Sequence, residues 1–185
     1  MGGSGRPDGL GLGTVVHVSQ PIAPPLRPPR HRVNPRARGW WTVRALLSVG
    51  AALAAEATAL ALVGISAGSS WLVATLAGTA LAGAGYVVIM PRWRYRIHRW
   101  EADDEAVYTL TGWIRREWRI APISRIQTID TALSPLQRLF GLASVTLTTA
   151  SSAGPVRIEG LDADAAAELA RQLTEITQAH PGDAT

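Results

Sequence analysis

Ala45-Leu-Leu-Ser-Val-Gly-Ala-Ala-Leu-Ala-Ala-Glu56-Ala-Thr-Ala-Leu-Ala-Leu-Val-Gly-Ile65 is followed, after the short segment 66–70, by Trp71-Leu-Val-Ala-Thr-Leu-Ala-Gly-Thr-Ala-Leu-Ala-Gly-Ala-Gly-Tyr-Val-Val-Ile-Met90. The first limb has one charge, Glu56, and the second has none. As a helix each limb covers about 30 Å, the thickness of a hydrocarbon core. The serine- and glycine-containing segment 66–70 is too short for anything but a turn. The reading is a transmembrane hairpin spanning 40–91, with helices at about 45–65 and 71–90. A buried helical hairpin of a soluble protein is the alternative, but uncharged runs of this length ordinarily need a bilayer.

Working outward, charge fixes an orientation. Arg27, Arg30, Arg32, Arg36, Arg38 and Arg44 precede the hairpin and Arg92, Arg94, Arg96 and Arg99 follow it, while 66–70 carries no charge. By the positive-inside rule both ends face the cytoplasm. Trp40, Trp41, Trp93, Trp100 and Trp71 stand where indole rings sit at membrane interfaces. Small residues at every fourth position, Ala51, Ala55 and Ala59 and again Ala74, Gly78 and Ala82, suggest the faces on which the helices meet.

An acid at mid-bilayer costs a few kcal/mol even on insertion scales, so Glu56 needs a partner. Counting back from the turn places Thr79 at the same depth. A Glu56–Thr79 hydrogen bond is the structural reading of this intramembrane polar pair. A proton or ion site, or a contact to another subunit, are the alternatives.

Composition narrows the chemistry. With 185 residues there is room for one domain and appendages. No cysteine is present, which removes disulfides and thiolate chemistry, and all 18 basic residues are Arg, which removes a P-loop or Schiff-base lysine. The net charge of +4 is unevenly spread. Residues 1–44 carry seven Arg and one Asp, 91–99 four Arg, and 100–185 seven Arg against twelve acids. Basic charge is therefore juxtamembrane, where it favours anionic lipid. The acidic soluble part argues against nucleic acid. His17, His31, His98 and His180 have no metal-ligand spacing, and no nucleophile motif or P-loop occurs. No enzyme, cofactor or metal is expected.

The Gly- and Pro-rich segment 1–39 reads as a disordered basic tail with polyproline II character, and not as a signal peptide. Beyond Pro91, Trp93, Tyr95 and Ile97 alternate with Arg94, Arg96 and His98, which is strand periodicity. The acidic loop 101–105 follows, then a hairpin of strands 106–111 and 114–121 about Gly112, and a strand 124–131. Ser134-Pro135 opens a short helical turn closed by Gly141, with Leu136, Leu139 and Phe140 plugging the sheet. Strands 142–150, with Ser144, Thr146 and Thr148 on a wet face, and 155–159 form a second hairpin. Asp162 caps a helix to about residue 178 with an apolar stripe of Ala165, Leu169, Leu173 and Ile176.

The run Pro122-Ile-Ser-Arg-Ile-Gln-Thr-Ile-Asp130, then Ser134-Pro-Leu-Gln-Arg-Leu-Phe-Gly-Leu142, then Val145-Thr-Leu-Thr-Thr-Ala150, resembles the bacterial PH-like domain of YdbS-type membrane proteins. The likeness covers about 92–178, and the preceding hairpin suits that family's layout. It implies a PH-like antiparallel β-barrel or sandwich, capped by the C-terminal helix, and no enzyme. The whole is thus a membrane-anchored α+β protein: tail 1–39, hairpin 40–91, PH-like domain 92–180. Loop 101–105 is acidic where a headgroup-binding loop would be basic, so phosphoinositide recognition does not carry over. Arg125 and Gln127 are the candidate interaction surface, against the plainer reading of Arg125 paired with Asp130 or capping a turn carbonyl.

The expected function is a non-enzymatic membrane protein presenting a cytoplasmic domain to a protein partner or to its own copies. A subunit of an oligomeric transporter or channel using Glu56 is the second reading and a lipid-sensing module the third. The expected partners are the lipid bilayer and a protein or homo-oligomer, with no nucleic acid and no small-molecule substrate.

Overall fold

In a computed structural model describing residues 28–64, 70–150 and 154–179, the chain runs β1 (His31–Arg32), α1 (Ala37–Val63), α2 (Ser70–Ile97), β2 (Arg99–Ala102), β3 (Ala106–Thr111) and β4 (Glu117–Pro122). A 3-10 turn (Ile123–Arg125) leads into β5 (Ile126–Ala132), α3 (Pro135–Leu139), β6 (Leu142–Thr149), β7 (Val156–Asp162) and α4 (Ala163–Ala179). The expected tail up to residue 27, the turn at 65–69, the turn at 151–153 and the C-terminal stop at Pro181-Gly182 lie outside the described residues.

Both long helices overrun the apolar limbs. α1 has 27 residues and α2 has 28, roughly 40 Å each at 1.5 Å per residue. α1 starts at Ala37 because Asn34-Pro35 turns the chain into it: Asn34 Oδ1 accepts the Arg36 N–H at 2.9 Å, and the Asn34 carbonyl accepts the Ala37 N–H at 2.9 Å. α2 continues through Pro91 to Ile97, so the strand expected at 93–99 is helix for most of its length and pairing begins only at Arg99. A proline costs a helix one N–H bond and some strain. Here its ring is fully buried, and the continued turn sets Ile97 and His98 into buried positions.

The helices do not meet on the small-residue rows. Ala51, Ala55, Ala74, Gly78 and Ala82 face outward, and a Cβ added at Gly78 would touch nothing. The seam runs instead through Ala45, Val49, Leu53, Glu56 and Leu60 on α1, and through Leu72, Leu76, Thr79, Gly83 and Met90 on α2. Spacings of three and four are those of interlocking helices crossing at a shallow angle. Gly83 is the close point, where a Cβ would collide with the Val49 side chain.

Outside the two long helices lie two antiparallel sheets, ordered β1-β2-β3-β4 and β5-β6-β7. Their inner faces share one core. Val107 and Ala121 from the first sheet meet Ile126, Val145, Leu147, Val156 and Ile158 from the second, with Ala166, Leu169 and Leu173 of α4. The inward stripe of α4 is Ala166, Leu169, Leu173 and Ile176, as expected except that Ala166, three residues before Leu169, takes the place of the exposed Ala165. Ser144, expected on the wet face of β6, is fully buried next to a register shift between Ala143 and Ser144. Its hydroxyl accepts from Gln137 Nε2 at 2.7 Å. Gln137 in turn completes the capping box of α3: Ser134 Oγ accepts the Gln137 N–H, and Gln137 Oε1 accepts the Ser134 N–H. Leu139 points outward and does not plug the sheet, whereas Leu136 and Phe140 do pack inward.

A second core lies where hairpin and sheets join. Val33, Ala37, Trp40, Trp41 and Ala45 pack with Met90 and Leu142, flanked by Val87, Tyr95, Trp100, Leu136 and Phe140. Residues 28–39 are therefore part of the fold, not of the tail. Pro29 and Val33 are buried, His31–Arg32 pairs with β2, and the Asn34 N–H donates to the Gly160 carbonyl at 2.9 Å. Trp40 and Trp41, expected at the lipid interface, are instead enclosed by protein. Trp71 and Trp93 are the ones that stay exposed.

Gly160 permits this contact. Its φ is +78°, and a Cβ there would stand 2.8 Å from the Ala37 Cβ. Gly160→Ala is expected to cost about 1–3 kcal/mol from backbone strain and displacement of α1. Unfolding of the full-length variant in detergent measures it, and an unchanged midpoint would show that α1 does not bear on β7 there.

Candidate functional site at the hairpin–domain junction

The sequence pointed to two pairs, and the structure keeps them far apart. Thr79 Oγ1 donates to Glu56 Oε1 at 2.8 Å inside the hairpin seam, while Glu56 Oε2 is buried without a hydrogen-bond partner. Arg125 ends the 3-10 turn at the entry to β5, and its carbonyl accepts the Ala150 N–H at 3.2 Å. Its side chain is exposed and makes no ion pair with Asp130 among the described residues; Asp130 accepts from the Thr128 hydroxyl at 3.3 Å. Gln127 is exposed on β5.

A third cluster, not anticipated from the sequence, connects hairpin to sheet. Arg94 near the end of α2 donates from Nη2 to Glu159 Oε2 of β7 at 2.9 Å, and its guanidinium lies 4.7 Å from the Trp41 ring centroid. Arg157 Nε holds the other oxygen of Glu159 at 3.3 Å. His98 is stacked edge-on to Trp41 with centroids 5.0 Å apart. Its Nδ1–H donates to the Arg94 carbonyl at 3.0 Å, and its Nε2 accepts from Arg94 Nε at 3.3 Å. Both ring nitrogens are thus used by the neutral imidazole. Burial first, and the Arg94 cation second, lower the His98 pKa to about 4.

The cluster forms one wall of a polar cleft of about 260 Å³, completed by Thr109, Thr111, Glu117, Arg119 and Pro155. Arg119 is also engaged, pairing with Glu117 at 2.7 Å and donating to the Pro155 carbonyl at 3.0 Å. Arg94 and Arg157 share the Glu159 carboxylate, while Arg119 is held by Glu117 and the Pro155 carbonyl, so these ion pairs fix position. With its nitrogens occupied, His98 is not poised as a general base. No cluster of three metal-ligating side chains occurs among the described residues. The one hint of this site in the sequence is the spacing of Arg94 and His98, one helical turn apart if α2 runs past Pro91.

Two helices long and apolar enough to cross a membrane, packed at one end against two antiparallel sheets and a C-terminal helix, define a membrane protein with a PH-type domain. The sequence model of the family described as bacterial PH domain matches residues 45–177, hairpin included, and the chain belongs to that family. It is similar to the UPF0699 transmembrane protein YdbS of Bacillus subtilis (strain 168), with 27% identity over 109 residues, covering 58% of this chain and 69% of that protein. No solved structure matches.

Proposed function

We propose that the protein is a non-enzymatic interaction module: a two-pass hairpin with both ends in the cytoplasm carries a PH-like sandwich, closed by α4, that binds a protein partner or another copy through β5. The observation behind this is the β5 edge. β5 pairs only with β6 among the described residues, and Gln127, Thr128, Asp130, Thr131 and Ala132 are all exposed. An open strand edge offers main-chain hydrogen bonds to an added strand, and Arg125 and Gln127 at its start supply side-chain selectivity. The packed junction of Trp41, Arg94 and His98 would hold that edge at a set height and angle over the bilayer.

The test is purification of the full chain from its native membrane in mild detergent, beside Arg125→Glu with Gln127→Ala. Loss of a stoichiometric partner, or of the oligomer seen by sizing, is the expected result. An identical partner set and size for both would sink this reading.

A second reading, a transporter subunit, draws on the unpartnered Glu56 Oε2 in the seam. Glu56→Gln separates the two. It should leave partner and size unchanged under the first and abolish proton or ion flux in proteoliposomes under the second.

A further inference from the structure

The loop between β3 and β4 carries Trp113, Ile114, Arg115 and Arg116, all exposed, with Ile114 at 80%. It is tight because Gly112 takes a φ of +113°, where a Cβ would collide with the Arg115 carbonyl. An exposed isoleucine beside an indole at a loop tip is a poor surface for water, and two cationic guanidinium groups flank it. Its position explains it. The Trp113 ring packs nearly perpendicular to the ring of Tyr86, with centroids 5.7 Å apart. Tyr86 belongs to α2, one helical turn before Met90 and inside the run that ends at the first basic residue, Arg92. Thr111, at the end of β3, shares the cleft with Arg94. The chain therefore climbs along α2 from the level of its arginines into the level of its apolar segment. The opposite end of β3 carries the acidic turn at 103–105, so the domain is polarised along that strand.

We propose that residues 113–116 form a third membrane contact beside the hairpin, with Trp113 and Ile114 in the boundary between headgroups and acyl chains and Arg115 and Arg116 on the phosphates of anionic lipid. An indole suits that boundary, an aliphatic tip the acyl side and guanidinium groups the phosphates. The contact would give the domain a second fixed point on the bilayer and set its tilt. It rests on the hairpin spanning a membrane and is independent of the β5 edge.

Because the chain has no cysteine, single cysteines can be introduced at will. Ile114→Cys, Asp104→Cys and Leu81→Cys would each be made in the full chain, labelled with a nitroxide and reconstituted in vesicles. The vesicles are phosphatidylcholine alone, or equal parts phosphatidylcholine and phosphatidylglycerol. Collision with oxygen and with a water-soluble nickel chelate is then measured.

The expected result is a label at 114 severalfold less open to nickel than the label at 104, with raised oxygen collision, and deeper in the anionic vesicles. Adding Arg115→Gln with Arg116→Gln should abolish that dependence on lipid charge. A label at 114 as open to nickel as the one at 104, with Leu81 shielded, overturns the proposal alone. Shielding from nickel and oxygen together would mean a protein contact and overturns it as well. A Leu81 label open to nickel overturns the spanning hairpin and this contact with it.

Discussion

Trp41→Ala is expected to lower the unfolding free energy of the full chain by about 3–5 kcal/mol, the range for emptying a large buried aromatic site. Trp41 is 1% exposed and touches three structural units at once: its own helix α1, the Arg94–His98 turn of α2, and β7 near Gly160. Removing it takes away the surface on which Arg94 and His98 rest, so the Arg94–Glu159 pair should loosen with it. Trp41→Phe keeps an aromatic face. The Trp41 indole N–H is buried without a hydrogen-bond partner, so its loss removes an unsatisfied donor, and the expected cost falls to about 1 kcal/mol. Denaturant titration in detergent measures both. Proteolysis should report a domain released from its helices in the alanine variant only. Equal effects of the two substitutions would mean that the junction depends on the full width of the indole, which a phenyl ring does not fill.

The second large effect is on pH dependence. His98 is buried and neutral, with its pKa lowered to about 4 from the ordinary 6.5. Between those values the unfolded chain takes up a proton that the folded chain refuses, so stability falls as pH drops from about 7 to about 4 and this contribution levels off below. At about 1.4 kcal/mol per pH unit the full loss is about 3 kcal/mol. Protonation would also cost His98 its acceptor role toward Arg94 Nε. His98→Gln, which can keep a donor and an acceptor near Arg94, should flatten the slope between pH 5 and 7 where carboxylates contribute little. An unchanged slope in that window would place the titrating group elsewhere.

Much of this architecture can be read directly from the residues. The two limbs of the hairpin follow from uncharged length, which leaves a bilayer as the natural solvent. The strands at 106–111 and 142–149 follow from alternation between Gly112, Gly141 and the turn residues that bound them. The depth match of Glu56 and Thr79 follows from counting helical rise in two antiparallel limbs. The family resemblance on 122–150 agrees with a family match that extends over 45–177. The helix start at Asn34-Pro35 was also written in the sequence, as a helix-initiating pair, but segmentation by hydropathy places the boundary where arginines stop and not where the backbone turns.

Tertiary structure decided whatever depends on which of two locally equal faces finds a partner. Residues 93–97 alternate like a strand and also complete a helix, and burial of Ile97 and His98 with the reach of Arg94 to Glu159 selected the helix. The small-residue rows and the leucine-bearing seam both recur at helical spacing, and the hairpin closed on the seam where Val49 meets Gly83 and Thr79 bonds Glu56. Trp40 and Trp41 carry the composition of an interface belt, yet Leu142, Phe140 and Gly160, about a hundred residues further along the chain, come back to enclose them. Local spacing fixes what a segment can be; long-range contacts, each needing a distant stretch of chain to be brought back at an entropic cost, choose among the possibilities.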